Sequence, residues 1–212
     1  MKVPTPPVWT AVLGLGLFLA ACETPRQPVE ISHVPPPPQR AGKIHFVPIG
    51  EFPSPPRDRL VNYFKEKFGL SIGTLPPIPI ERTAFDERRR QLIAEELLGL
   101  IQRRYPDLAK DPGALVIGIT VGDMYIRNRP EWRYGFAAGD TVKLAVVSSA
   151  RMDPTFYREP SDPEVLHVRL RKMIAKYIGY MYFRRSQSHD RRSVMYGPIL
   201  GVDDLDSMGE DY

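Results

Sequence analysis

The chain has 212 residues, 42% of them hydrophobic, a formal net charge of +4 and a single cysteine. This is the composition of a globular protein, and one cysteine leaves no intramolecular disulfide to staple a small scaffold. The positive charge is scattered in short clusters such as Arg88 to Arg90 and Arg103 to Arg104 without an RNP, zinc-finger or helix-turn-helix pattern, so nucleic acid is not expected as a partner.

In chain order, the first segment reads as an address. Lys2 is the only charge ahead of the apolar run VWTAVLGLGLFLAAC, which fits a secretory signal and is too short for a spanning helix. The run closes at Leu19 to Cys22 in LAAC, the pattern of a bacterial lipoprotein box, whose cysteine is acylated and becomes the new N-terminus. Residues 1–21 are therefore expected to be a lipoprotein signal peptide, with membrane lipid as a partner through Cys22, because more than one acyl chain makes a stable anchor. Glu23 is not the aspartate associated with inner-membrane retention, which points to an outer membrane, facing the periplasm, in a cell with two membranes. Residues 22–42 carry the unbroken run Pro35 to Pro38 and read as an extended polyproline tether.

Residues 43–212 are long enough for one domain with its own core. KIHFVPIG, from Lys43 to Gly50, alternates before a turn and predicts a strand; RDRLVNYFKEKFG predicts a helix closed by Gly69. FDERRRQLIAEELLGLIQRRYP places Ile93, Leu97, Leu100 and Ile101 at helical spacing, with Asp86 as N-cap and Pro106 just beyond the end. ALVIGIT, from Ala114 to Thr120, is a continuous apolar run of the kind that fills a buried central strand, and TVKLAVVSS from Thr141 predicts another strand. In EVLHVRLRKMIAKYIGYMYF, Leu166, Leu170, Met173, Ile174, Tyr177, Ile178 and Met181 recur at helical spacing, which by itself requires no more than an amphipathic core helix. The order predicts an α/β fold, a mixed sheet with helices packed on it.

Several segments, none decisive alone, together resemble the archaemetzincins, a branch of the metzincin zinc proteases. Thr120, Asp123, Met124 and Tyr125 look like the family's Thr-x-x-Asp-Leu-Tyr turn; Gly135, Phe136 and Ala137 resemble its Phe-Gly-x-Ala element; Ser149, Arg151 and Met152 resemble its Ser-x-x-Arg-Leu turn. A helix, a loop and VMYGP, with Met195 in the place of the family's methionine turn, follow in the same order. The resemblance implies a metzincin-like domain, a twisted sheet with the active-site helix beneath it.

The departure lies in the catalytic motif. In the family, HExxHxxGxxH sets two histidines one helical turn apart on one zinc, with the glutamate between them activating the metal-bound water. With Gly179 aligned to the glycine of HExGH, Lys176 stands at the first ligand, Tyr177 at the glutamate, Tyr180 at the second ligand, Phe183 at the motif's later glycine and Ser186 at the third histidine. An ammonium has no lone pair for zinc, and a phenol is no substitute for a carboxylate base. The expectation is a catalytically inactive homologue with no cofactor, in which the Lys176 ammonium takes the place of the metal beside the Tyr180 hydroxyl.

Its cleft, lined by Lys176, Tyr180, Phe183 and Tyr196, would then hold a peptide or protein by strand addition. The alternative is an active zinc peptidase with rearranged ligands, for which His189 and Asp190 are the available residues; His167, about 13 Å up the helix axis from Lys176, is too far to join them. The acidic tail DDLDSMGEDY lacks the spacing of a calcium loop and predicts a solvated, frayed end.

Overall fold

The computed structural model describes residues 43–140 and 142–212. The expected signal peptide, Cys22 and the expected proline-rich tether lie outside the described residues. The central strand is β5, Ala114–Thr120, buried along its whole length. It is flanked in parallel by β1, Lys43–Pro48, and β8, Leu144–Ser148; β2, Ile72–Thr74, adds in parallel beyond β1, and β7, Ala137–Gly139, runs antiparallel at the other edge.

Alternation along these strands sorts side chains to two faces. Ile44, Phe46, Leu115, Ile117, Ile119, Ala145 and Val147 face one core, shared with α1, Ser54–Phe68, and α4, Pro163–Met181. Val47, Ile49, Val116, Leu144 and Val146 face a second core against α2, Ala94–Arg104. Both sheet faces are covered, so the strands read as apolar runs and the mixed α/β expectation holds. Helix α1 ends where Gly69 adopts φ 65°, a left-handed conformation that a residue without Cβ takes at little cost.

The stretch predicted as one long helix from Asp86 divides. β3, Phe85–Asp86, and β4, Gln91–Ile93, form a hairpin, and β4 pairs in parallel with β6, Met124–Tyr125, in a small second sheet. Asp86 caps the hairpin turn, accepting from the Arg88 and Arg89 amides at 2.9 and 3.1 Å, and Ile93 is extended and buried ahead of α2. The helical spacing of Ile93 with Leu97 arises because a strand runs directly into a helix. Pro106 stands just beyond the end of α2, as expected, and opens the short helix α3, Pro106–Lys110.

The acidic tail is docked instead of frayed. α5, Val202–Ser207, packs on α4, where Arg169 holds Asp206 through two bonds of 2.7 and 2.8 Å and Lys172 donates to the Leu205 carbonyl at 2.8 Å. Tyr212 closes the chain against the same helix, its hydroxyl donating to the Ala175 carbonyl at 2.7 Å.

Candidate active-site cleft

The motif segments before α4 converge on one corner, at the C-terminal ends of β5 and β8. Thr120 offers its carbonyl to the Ser149 amide at 2.9 Å, and the Ser148 hydroxyl donates to the Gly122 carbonyl at 2.7 Å. Asp123 takes two bonds from Arg151, at 2.7 and 2.8 Å, and a third from the Gln91 side chain at 2.9 Å. The Arg151 guanidinium lies 4.2 Å from the Tyr134 ring centroid and 4.7 Å from that of Phe156, and its bond to Asp123 raises its pKa further. This bidentate, stacked arrangement fixes the loops that lead to the edge strand and to α4.

Helix α4 begins at Pro163 with Asp162 as N-cap, accepting from the Glu164 and Val165 amides at 2.9 and 3.0 Å. Its C-terminal half crosses the Met195 turn at close range. A Cβ on Gly179 would stand 2.3 Å from the Met195 sulfur and 2.8 Å from Tyr212, so any larger residue requires the Met195 and Tyr212 side chains to shift. Met195 is buried in the core, as a packing methionine is expected to be. The helix ends at Met181, and Arg184, with φ 53°, turns the chain away.

Lys176 is 6% exposed, with its ammonium buried between α4 and the methionine turn, where it donates to the carbonyls of Met195, at 3.1 Å, and Tyr196. Burial lowers its pKa to about 8. It lies 5.7 Å from the centroid of the Tyr180 ring, so its tyrosine neighbour presents a π face and not the hydroxyl that was expected. Tyr177 and Tyr180 pack edge to face, and burial raises the pKa of both phenols.

These side chains form one wall of a cleft of about 380 Å³. The opposite wall runs from Trp132 to Ala137 into the edge strand β7, and Gln187 and Pro198 to Leu200 close the end. In the antiparallel pairing of β7 with β8, Ser148 donates to Phe136 at 2.9 Å and Asp140 to Leu144 at 3.0 Å. Alternation therefore sends the main-chain groups of Ala137 and Gly139 outward, to the open edge.

Lys176, Tyr177 and Tyr180 line this cleft. Phe183 does not, because it is buried in an aromatic cluster with its ring centroid 4.7 Å from that of Tyr212 and 6.4 Å from that of Phe68. Tyr196 contributes its carbonyl, while its ring lies away from the cleft lining with the Arg191 guanidinium 4.7 Å from its centroid. Ser186 and His189 are exposed, and Asp190 is paired with Arg192 at 2.9 Å. Among the described residues no three His, Cys, Asp or Glu side chains are grouped as metal ligands. Sequence reasoning missed Trp132, Tyr134, Met173, Gln187 and Ile199; the signal for the first two was an aromatic run placed just before the edge strand.

A sheet with an edge strand above a long helix, and a methionine turn beneath that helix, is the arrangement of a metzincin-type domain. No family model matches the chain. It is 31% identical over 147 residues to the archaemetzincin of Pyrococcus furiosus, a match covering 66% of this chain and 72% of that protein. The archaemetzincin of Thermococcus kodakarensis is 29% identical over 169 residues, covering 77% and 87% of the two chains. The chain belongs to the archaemetzincin family. Among solved structures, an archaemetzincin from Methanopyrus kandleri superposes with a TM-score of 0.64 at 23% identity, covering 83% of this chain and 91% of that one. A zinc-dependent peptidase from Methanocorpusculum labreanum gives 0.66 at 22% identity, covering 80% and 95%.

The last of these corrects the expectation of no cofactor. A neighbour of the same fold is named zinc-dependent, so zinc is the group against which the cleft must be tested. The residues at the aligned motif positions do not fit it there: the Lys176 ammonium carries no lone pair, and the two phenols beside it are shifted away from ionisation.

Proposed function

We propose that this archaemetzincin-family protein is exported and lipid-anchored through Cys22, and that its cleft holds extended polypeptide without hydrolysing it. The observation that carries this reading is the buried Lys176 ammonium, bound to the carbonyls of Met195 and Tyr196 at the position where the family motif has its first histidine. Hydrolysis also needs a base for water. Tyr177 stands at the aligned glutamate position, and burial moves its phenol away from ionisation.

Binding asks for less. The open edge of β7 offers the outward main-chain groups of Ala137 and Gly139 to a partner strand, and the apolar walls from Trp132, Tyr134, Tyr177 and Tyr180 offer side-chain contact. The address is supported by the LAAC box, the lone cysteine and the proline-rich run that follows.

Capture of a fluorescein-labelled pool of short random peptides, followed by anisotropy, tests the reading. Ala137→Pro removes one outward donor while sparing the β8 ladder, and is expected to weaken capture by roughly 2- to 10-fold. Tyr180→Ala is expected to weaken it without unfolding the domain. Capture unchanged in both variants would place the binding surface elsewhere.

A further inference from the structure

A second and larger cavity, of about 600 Å³, lies at the N-terminal half of α4, away from the cleft. It sits where the sheet changes direction. After β1 the chain passes to α1 on one face and then to β2 on one side; after β5 it continues through β7 and β8 on the other side. The segments leaving β1 and β5 therefore diverge and leave a crevice beyond the carboxyl ends of the strands, the place where open α/β sheets receive ligands. Phe52 and Pro53 follow β1, Val121 follows β5, and Ala150 follows β8 in its lining.

The lining is mainly apolar. Val121 is 47% exposed and Phe156 43% exposed, a notable outlay of apolar surface at the rim of one cavity. Its charged members already have partners: Arg59 is paired with Glu164, and Asp153 accepts from the Thr155 amide and hydroxyl at 2.9 and 2.8 Å.

One polar group is unspent. His167 lines the cavity and is 6% exposed, and its Nδ1 is buried with no hydrogen-bond partner among the described residues. Burying an N–H without an acceptor costs more than burying an unused lone pair, so the favoured tautomer leaves Nδ1 bare and carries the proton on Nε2. Nε2 is not among the buried unpartnered atoms, and His167 lines the cavity, so with its proton on Nε2 the ring has one N–H donor to offer there. Burial, aided by Arg59 and Arg171 and opposed by Glu164 and Glu210, lowers the pKa of His167 to about 4, so the ring is neutral at neutral pH.

We propose that this cavity is a binding site for an uncharged, largely apolar small molecule carrying one hydrogen-bond acceptor, which the His167 Nε2–H recognises. The volume suits a ligand of two rings or a comparable chain. The site shares helix α4 with the cleft but no lining residue.

The test uses the full chain and two probes followed by ¹⁹F NMR: 4-fluorobenzophenone, which carries a carbonyl acceptor, and 4-fluorodiphenylmethane, which does not. The ketone is expected to bind with Kd on the order of 0.1–1 mM. It should bind about 3- to 10-fold more tightly than the hydrocarbon, the worth of one net hydrogen bond. His167→Leu should abolish that preference while leaving hydrocarbon binding intact, and Ala150→Trp, which fills the cavity, should remove both. Equal affinity of the two probes for the unaltered protein, no saturable binding of either, or binding lost in Tyr180→Ala but retained in Ala150→Trp would each overturn the proposal.

Discussion

The corner formed by Asp123 and Arg151 and the C-terminal half of α4 both carry the family likeness, and they carry it differently. In the corner the motif side chains are present and engaged: Arg151 grips Asp123 through two bonds and stacks on Tyr134 and Phe156. In the helix the backbone relationships are present, with Gly179 against Met195, while the side chains that face the cleft are lysine and tyrosine. Framework contacts such as these hold the loops in place, whereas the groups that would hold a metal can be exchanged provided that the replacements are satisfied by hydrogen bonds. Lys176 meets that condition through two backbone carbonyls.

Substitutions at the two places separate framework from exchangeable chemistry. The largest effect is expected at the corner. Asp123→Ala leaves the partly buried Arg151 without its carboxylate, and denaturant unfolding should report a loss of roughly 2–3 kcal/mol. A loss below about 0.5 kcal/mol, the range of ordinary surface changes, would remove the distinction between the regions.

Lys176 comes next, through pH. Its folded pKa of about 8 lies below the 10.5 of an ordinary lysine, so between these values the unfolded chain binds more protons and stability rises with pH. Measured from pH 7 to 9.5, this adds on the order of 2 kcal/mol. The rise should be absent in Lys176→Met; the same slope in both proteins would show that the ammonium is not desolvated. Above pH 10 the trend reverses, because the folded state holds the phenolic protons of Tyr177 and Tyr180 while the unfolded chain releases them. The smallest effect is expected for Gly179→Ala, where Met195 and Tyr212 must shift to admit a methyl group, costing about 1–2 kcal/mol in thermal unfolding. A neutral outcome would mean that helix and turn are not tightly apposed.

Apolar pattern made much of the architecture legible. The continuous run in β5 and the alternating ends of β1 located the sheet, and the stripe from Leu170 to Met181 located α4, because burial on a sheet or helix face writes directly into spacing. The hairpin before α2 was illegible, since a strand entering a helix keeps apolar residues at intervals that mimic the helix itself. The docked tail was hidden for another reason. Arg169, Lys172 and Arg171 look like a solvated face until the carboxylates and carbonyls of the C-terminal segment fold back on them.

In the site, the position of Lys176 followed from alignment to one glycine, but its partners are backbone carbonyls, which no side-chain pattern encodes. Phe183 and Tyr196 were misplaced because the turn after α4 rotates one into an aromatic cluster and the other beneath Arg191.

The central claim is that the cleft binds polypeptide and does not cut it. Its most direct test is mass spectrometry of a defined peptide pool after incubation with the full chain, with zinc supplied in the buffer, and recovery of the bound fraction. The account predicts peptides of unchanged mass in the bound fraction and in solution. Cleavage products that form with zinc and disappear when it is chelated would contradict it.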